Sequence, residues 1–220
     1  MRPALALLIH RHRYSFLFGA LLVTVTLGPL LEALSFGHRL MEFLLCASLL
    51  AALFPIAQRL QRHVLLALVV VAQVLRWWAS DAGGAVAMAG AVLWGVLATV
   101  AAWHAVRFSL SSTRVRSEHL AAALSAYLLL GVCGGVVFAA LSAISPASMA
   151  VAGQTTHSGL GIGTAMYFSF VTLATLGYGD ITPVSQVARG LATLEAITGQ
   201  LYLALLVARL VGLRSADRSP

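Results

Sequence analysis

The chain has 220 residues, of which 60% are hydrophobic and only 10% are charged, and its mean hydropathy is +0.92. Soluble domains carry about 25% charged residues, so this composition excludes an ordinary soluble globular protein. The net charge of +7 comes from arginine alone, and the arginines lie in the gaps between apolar blocks. That placement is typical of a membrane protein and unlike the clustered basic face of a nucleic-acid-binding protein.

Six apolar stretches have lengths near that needed to cross a bilayer. A helix requires about 20 apolar residues to span a hydrocarbon core of about 30 Å. The six stretches are 14–34, 40–57, 63–78, 83–106, 119–144 and 187–213. We therefore predict an all-α integral membrane fold with six transmembrane helices.

The positions of the arginines predict how these helices are oriented. Six spans place both termini on one side of the membrane, and eleven of the 14 arginines then lie on that side. Only Arg39, Arg76 and Arg189 lie at the opposite ends. Cytoplasmic segments are enriched in basic residues, so we predict cytoplasmic termini and a short cytoplasmic tail at 214–220. The small size of the chain favours a bacterial inner membrane.

Between the last two spans lies the most informative segment of the chain. A stretch rich in Ser, Gly, Ala and Thr (145–163) precedes a short apolar helix candidate (164–174), and TLGYGD follows at 175–180. The helix candidate is too short to span the bilayer and is predicted to be re-entrant. Glycines in the following six residues tolerate the positive φ angles that aim successive carbonyls the same way. A threonine hydroxyl followed by such carbonyls can replace the water shell of an alkali cation.

The nine residues TLATLGYGD at 172–180 resemble the potassium-channel signature T-x-x-T-V-G-Y-G-D, with Leu176 in place of the commoner valine. The resemblance covers 120–211, and this region is similar to the two-transmembrane bacterial ion-channel domain. Because a single filter strand cannot surround an ion, the resemblance implies assembly of four chains. It implies a pore domain at 119–213 with an outer helix, a pore helix at 164–174, a filter at 175–180 and an inner helix at 187–213.

The resemblance also implies which atoms bind K⁺. Thr175 would supply hydroxyl and carbonyl oxygens to the innermost site. The carbonyls of Leu176, Gly177 and Tyr178 would line the next sites, and Gly179 would help to form the outer mouth.

Three further residues would brace the filter. Asp180 directly follows it, and Tyr167 carries a hydroxyl that could reach the Asp180 carboxylate. Phe168 stands where the family often has tryptophan. Because phenylalanine cannot donate a hydrogen bond, we expect weaker bracing at that contact.

Two residues of the inner helix are candidates for gating. Gly199 matches the place of a hinge glycine in many family members, although close helix packing explains a glycine there equally well. Glu195 is an acid near the middle of a span, where it is costly unless it faces protein or water. It is either a hydrogen-bonded brace behind the filter, a titratable gating group, or an acid satisfied by nearby Ser, Thr or Gln side chains.

The fourth stretch, 83–106, contains no arginine. Steep voltage sensing requires charges that move through the membrane field, at about 2.3 kcal/mol per charge per 100 mV. We therefore predict that residues 1–118 form a four-helix region without voltage-sensor arginines, which acts as a structural collar around the pore.

Together these features predict a homotetrameric, potassium-selective channel that conducts K⁺ passively and is not steeply voltage-gated. The transported K⁺ is the only cofactor implied, and lipid and further copies of the chain are the only partners. No catalytic cluster or nucleotide signature occurs, which argues against an enzyme. The alternatives are a non-conducting or regulatory membrane subunit, a weakly selective cation channel and a potassium-uptake transporter. The single intact filter argues against the transporter, because such proteins usually carry four degenerate pore repeats in one chain.

Overall fold

The computed structural model describes residues 12–32, 37–53, 59–82, 84–111, 117–156 and 159–216. The predicted N-terminal segment before residue 12 and the last four residues of the predicted tail lie outside these ranges. The described part contains seven α-helices: α1 Arg13–Glu32, α2 Gly37–Leu53, α3 Arg59–Ala82, α4 Gly84–Leu110, α5 Ser117–Ile144, α6 Ile162–Leu173 and α7 Gln186–Ala216. It also contains a 3₁₀ turn at Pro146–Ser148 and three strands: β1 Met149–Val151, β2 Gln154–Thr155 and β3 Ile181–Pro183.

A helix occurs at each predicted apolar stretch and at the predicted re-entrant segment. The helix ends differ by a few residues, because polar residues that flank an apolar stretch continue the same helix, as at both ends of α3. Three helices contain segments long and apolar enough to cross a membrane: Val92–Leu110, Ser117–Ile144 and Gln186–Gly212. The chain is therefore a helical membrane protein, and six complete spans stay a prediction.

Helix α5 lies at the centre of the described structure, with α1, α4 and α6 packed around it. Two glycines on α5 allow α6 to approach closely. A Cβ atom at Gly131 would lie 2.4 Å from the Phe170 ring, and one at Gly135 would lie 2.8 Å from the Cα atom of Met166. Small residues at such contacts let membrane helices pack backbone to backbone. The glycines thus position the short helix α6 against the outer helix.

Polar contacts join the ends of α1, α4, α5 and α7. Glu118, at the start of α5, accepts a hydrogen bond from the backbone N–H of Tyr14 at 3.0 Å. Arg209, near the end of α7, donates to the carbonyl oxygens of Ser109 and Leu110 at 2.6 and 2.8 Å. These carbonyls belong to the last turn of α4, where a cation is favoured by the helix dipole. The end of the inner helix is thereby attached to the first four helices.

A small antiparallel sheet of order β2-β1-β3 flanks the segment after α6. Strands β1 and β2 form a hairpin whose turn residues, Ala152 and Gly153, both have positive φ (+49° and +79°), as a type I′ turn requires. Strand β3 pairs with β1, with Ala150 opposite Thr182. Sequence analysis predicts no strand here, because runs of two or three residues show too little alternation to be recognised. The sheet is an addition to the predicted helical fold.

Candidate functional site

Helix α6 ends where the chain reverses its direction. Two backbone hydrogen bonds make this reversal: Thr175 N–H donates to Thr172 O at 2.9 Å, and Leu176 N–H donates to Val171 O at 2.8 Å. They satisfy carbonyls of the last turn that otherwise lack partners within the helix. The partly negative end of α6 therefore lies directly beside the first residues of the TLGYGD segment.

The backbone of this segment alternates in handedness. The φ angle is +56° at Thr175, +60° at Gly177 and +81° at Gly179, whereas Leu176 and Tyr178 keep negative φ. Alternation between left- and right-handed backbone turns successive peptide groups to the same side, which is how a chain lines a binding concavity. Glycine adopts positive φ without strain, but a β-branched residue does so only under constraint. Such strain at Thr175 is typical of functional sites.

The outer end of the segment is tied to α6 and to the hairpin through Asp180. The Tyr167 hydroxyl donates to Asp180 Oδ2 at 2.8 Å, and the N–H of Ala152 donates to the Asp180 carbonyl at 2.8 Å. The rings of Tyr167 and Tyr178 are nearly parallel, with centroids 6.5 Å apart. The bond to Asp180 raises the pKa of Tyr167, because only the neutral phenol donates to the carboxylate. The hairpin contact was not predicted, because the strands that make it were not predicted.

Phe168 follows Tyr167 on α6 and therefore points to a different face of the helix. Its side chain is buried and packs edge to face on Phe138 of α5, with ring centroids 4.8 Å apart. It also lines one wall of the groove that contains Gly177 and Gly179. Phe168 therefore contributes packing between the outer helix and the segment, and Tyr167 contributes the hydrogen bond.

The inner helix α7 approaches the end of α6 at Gly199. A Cβ atom at this position would lie 2.3 Å from the carbonyl oxygen of Leu173, so the glycine is needed for close packing. The adjacent Gln200 donates from Nε2 to Thr175 Oγ1 at 3.4 Å. The contact at Gly199 favours the packing interpretation of this glycine over the hinge interpretation. Gln200 lies next to the inner end of the segment.

Glu195 lies one turn before Gly199 and faces the interior of the subunit. Its Oε1 atom lies 2.5 Å from the hydroxyl oxygen of Ser169 on α6. Its Oε2 atom is buried and has no hydrogen-bond partner among the described residues. Glu195 is recognisable in the sequence as an acid within a span, whereas Ser169 is not recognisable, because serine is common in membrane helices and carries no signal of its own.

A groove of about 340 Å³ runs along the outside of the TLGYGD segment. Thr175, Gly177 and Gly179 form one wall, and Ala192 and Ala196 of α7 form another. All six residues of the segment are exposed in the single chain. The structure thus brings the predicted filter residues together in one strand whose flank is open.

Residues 124–213 match a family model described as ion channel. The matched region runs from α5 through the hairpin, α6 and the TLGYGD segment to α7. No curated protein and no solved structure matches the chain. The match supports an ion-channel domain in this part of the chain and hence a role in ion transport across a membrane; the ion-channel family is generally non-enzymatic.

Proposed function

We propose that the chain forms a potassium-selective channel that conducts K⁺ passively through a pore shared by four copies. The alternating backbone at 175–179 is the observation that carries this proposal. A strand with this alternation presents successive carbonyl oxygens to one side, and rings of such oxygens replace the hydration shell of K⁺.

In this pore, Thr175 supplies its hydroxyl and carbonyl oxygens to the innermost K⁺ site. The carbonyls of Leu176, Gly177 and Tyr178 form the next sites, and Gly179 shapes the outer mouth. The negative end of α6 adds a favourable potential for a cation on the inner side of the filter. The bond between Tyr167 and Asp180 holds the mouth against α6, and Phe168 fills the space behind the strand.

Four copies are required because each chain contributes one filter strand. The groove beside the strand and the exposed apolar face of α7 are the surfaces that the neighbouring copies would cover. In this arrangement residues 119–213 form the pore domain, and residues 1–118 form a collar that is attached to it where Arg209 donates to the carbonyls of Ser109 and Leu110.

We further propose that opening is not steeply voltage-dependent. Within α4, Arg107 is the sole basic residue apart from His104, and it lies in the last turn, so little charge can move through the membrane field. The proposed location is a bacterial inner membrane with both termini in the cytoplasm, as the arginine distribution predicts.

A pair of glycine substitutions tests the assignment of the filter. Gly177 in the filter and Gly153 in the hairpin turn both have positive φ, and at both a Cβ atom would have nothing within 4 Å. Alanine at either position therefore carries a similar backbone cost of about 1–2 kcal/mol. We expect Gly177→Ala to abolish K⁺ flux into liposomes or to remove the preference for K⁺ over Na⁺ in reversal potentials. Gly153→Ala should retain barium-sensitive K⁺ flux.

The alternatives give different results in the same assay. A wild-type protein with equal Na⁺ and K⁺ permeability is a weakly selective channel, and a folded wild-type protein without flux is a regulatory subunit. If Gly177→Ala and Gly153→Ala have the same K⁺ flux and the same preference for K⁺ over Na⁺, Gly177 is not part of a selectivity filter.

A further inference from the structure

Three helices meet at the hydroxyl group of one serine behind the filter. Ser169 Oγ, on α6, lies 2.6 Å from the carbonyl oxygen of Gly131 on α5 and 2.5 Å from Glu195 Oε1 on α7. The space for the carboxyl group is provided by Gly134, since a Cβ atom there would lie 1.9 Å from Glu195 Oε1. The contact is therefore built by residues of all three helices.

The number of hydrogen atoms available among Ser169, Gly131 and Glu195 indicates whether the carboxyl group is protonated or ionised. A serine hydroxyl has one hydrogen, which can point well at only one of two acceptors. The Gly131 carbonyl is always an acceptor, and an ionised Glu195 would be a second acceptor at the same short distance. The contact is complete only if Glu195 carries a proton. Glu195 then donates to Ser169, and Ser169 donates to Gly131.

The surroundings of Glu195 also favour the neutral acid. Its second oxygen, Oε2, is buried and unpartnered, and no basic side chain pairs with Glu195 in the described ranges. The adjoining cavity, of about 180 Å³, is lined almost entirely by apolar side chains, with Thr198 as the other polar residue. An ionised carboxylate without a partner in such a place is expensive.

We propose that Glu195 is a positioning residue that holds the pore helix, as the neutral acid, through Ser169. Ser169 lies one turn before the end of α6, so the chain of hydrogen bonds fixes the helix end from which the filter begins. Loss of the proton removes one of the two hydrogen bonds and leaves a buried negative charge. The pore helix is then released from α5 or α7, and the filter loses its support. The role of Glu195 depends on the proposed function only in its second test, which measures conduction.

Few other groups can produce a pH effect at this place. The titratable side chains that interact with Glu195 from α5 are Tyr127 and Cys133. Helix α6 carries a single titratable residue, Tyr167, and its hydroxyl binds Asp180 at the outer mouth. Substitution of these groups therefore separates their contribution from that of Glu195.

The first test detects the proton on the Glu195 carboxyl group directly. In wild-type protein reconstituted in lipid, the infrared spectrum should show the carbonyl stretch of a protonated carboxylic acid, and this band should disappear as the pH is raised. The band should be absent in Glu195→Gln and shifted in Glu195→Asp. A band that remains unchanged in both variants, or no band at all, overturns the proposal. The measurement does not depend on which ion the protein conducts.

The second test follows conduction. Flux through the wild-type protein should be constant on the acid side and should fall at higher pH, by up to about tenfold per pH unit above the titration midpoint. Glu195→Gln should conduct at all these pH values, because its amide donates to Ser169 without titrating. Ser169→Ala should conduct poorly at every pH, and Tyr127→Phe and Cys133→Ala should retain the wild-type fall. A fall retained in Glu195→Gln overturns the positioning role.

Discussion

Helices α5 and α7 are both long and apolar, yet only α5 is covered by its own chain. About 44% of the α5 span is buried, compared with 6% of the α7 span. Helix α5 contacts α1, α4 and α6, whereas α7 is attached mainly along α6. The difference shows that α5 is the core of the subunit and that most of the surface of α7 is left uncovered by its own chain.

The exposed surface of α7 includes polar side chains as well as apolar ones. Thr193, Gln200 and Arg189 are exposed in the single chain. A polar side chain in a span normally faces protein or water, because contact with hydrocarbon is unfavourable. Gln200 already lies beside Thr175, the first residue of the TLGYGD segment. In the proposed four-chain pore, the face of α7 that carries Gln200 would line the water-filled pathway, and neighbouring copies would cover other faces.

If the proposed four-chain assembly forms, the largest expected effect comes from filling the groove between α7 and the TLGYGD segment. Ala196→Trp places a large side chain in the space that a neighbouring copy would use. Overpacking costs about 1–3 kcal/mol at each contact, and four equivalent contacts share the substitution. We expect the four-chain assembly to be lost, as measured by native mass spectrometry of the detergent-solubilised protein.

The matched control is Val96→Trp on α4, where the valine is exposed and lies away from the groove. This variant should keep the assembly of the wild type. If Ala196→Trp also assembles normally, the exposed face of α7 is not covered by other copies of the chain.

A smaller effect is expected at the buried contact between α5 and α6. Gly135→Ala would place a Cβ atom 2.8 Å from the Cα atom of Met166, which belongs to the backbone and cannot rotate away. The expected loss in free energy of unfolding is about 1–3 kcal/mol. Gly19→Ala on α1 has nothing within 4 Å of its Cβ atom and should gain up to about 1 kcal/mol from helix propensity.

Thermal unfolding in detergent distinguishes these two glycine variants. Gly135→Ala should unfold at a lower temperature than the wild type and Gly19→Ala at the same or a higher one. Equal midpoints would show that α5 and α6 can separate without cost, contrary to their close packing.

Much of the fold was predictable because membrane helices have strong sequence signals. Apolar length located the helices, and TLGYGD located the segment with alternating backbone, since glycines at 177 and 179 mark two of its three positive φ angles. The third, at Thr175, was not predictable from residue type, because threonine rarely adopts positive φ. The local C-cap of α6 imposes it, in which Thr175 N–H donates to Thr172 O and Leu176 N–H donates to Val171 O.

Other features of the site depend on contacts between distant residues and left no local pattern. The contact between Ala152 and Asp180 requires a hairpin of very short strands. The contact of Glu195 with Ser169 joins α7 to α6 through two residues that are 26 positions apart in the chain. An acid in a span indicates that a partner exists, but only the packing of α5, α6 and α7 shows which residue it is.

The smallest expected effect concerns the few polar contacts that attach α7 to its own chain. The Tyr202 hydroxyl donates to the carbonyl oxygen of Ala123 on α5 at 2.6 Å. Tyr202→Phe removes this bond and should cost about 0.6–1 kcal/mol, the usual range for hydrogen bonds between membrane helices. Tyr127→Phe is the matched control, because the two rings lie 6.0 Å apart and the Tyr127 hydroxyl has no hydrogen-bond partner in the described part of the chain.

Hydrogen exchange of the reconstituted protein measures this difference helix by helix. Because α7 buries little of its surface, loss of one bond should increase amide exchange along α7 and leave α5 unchanged. Tyr127→Phe should leave both helices unchanged. An equal increase in α5 and α7 after Tyr202→Phe would show that the two helices open as one unit. The contrast between a self-contained outer helix and a weakly attached inner helix would then be wrong.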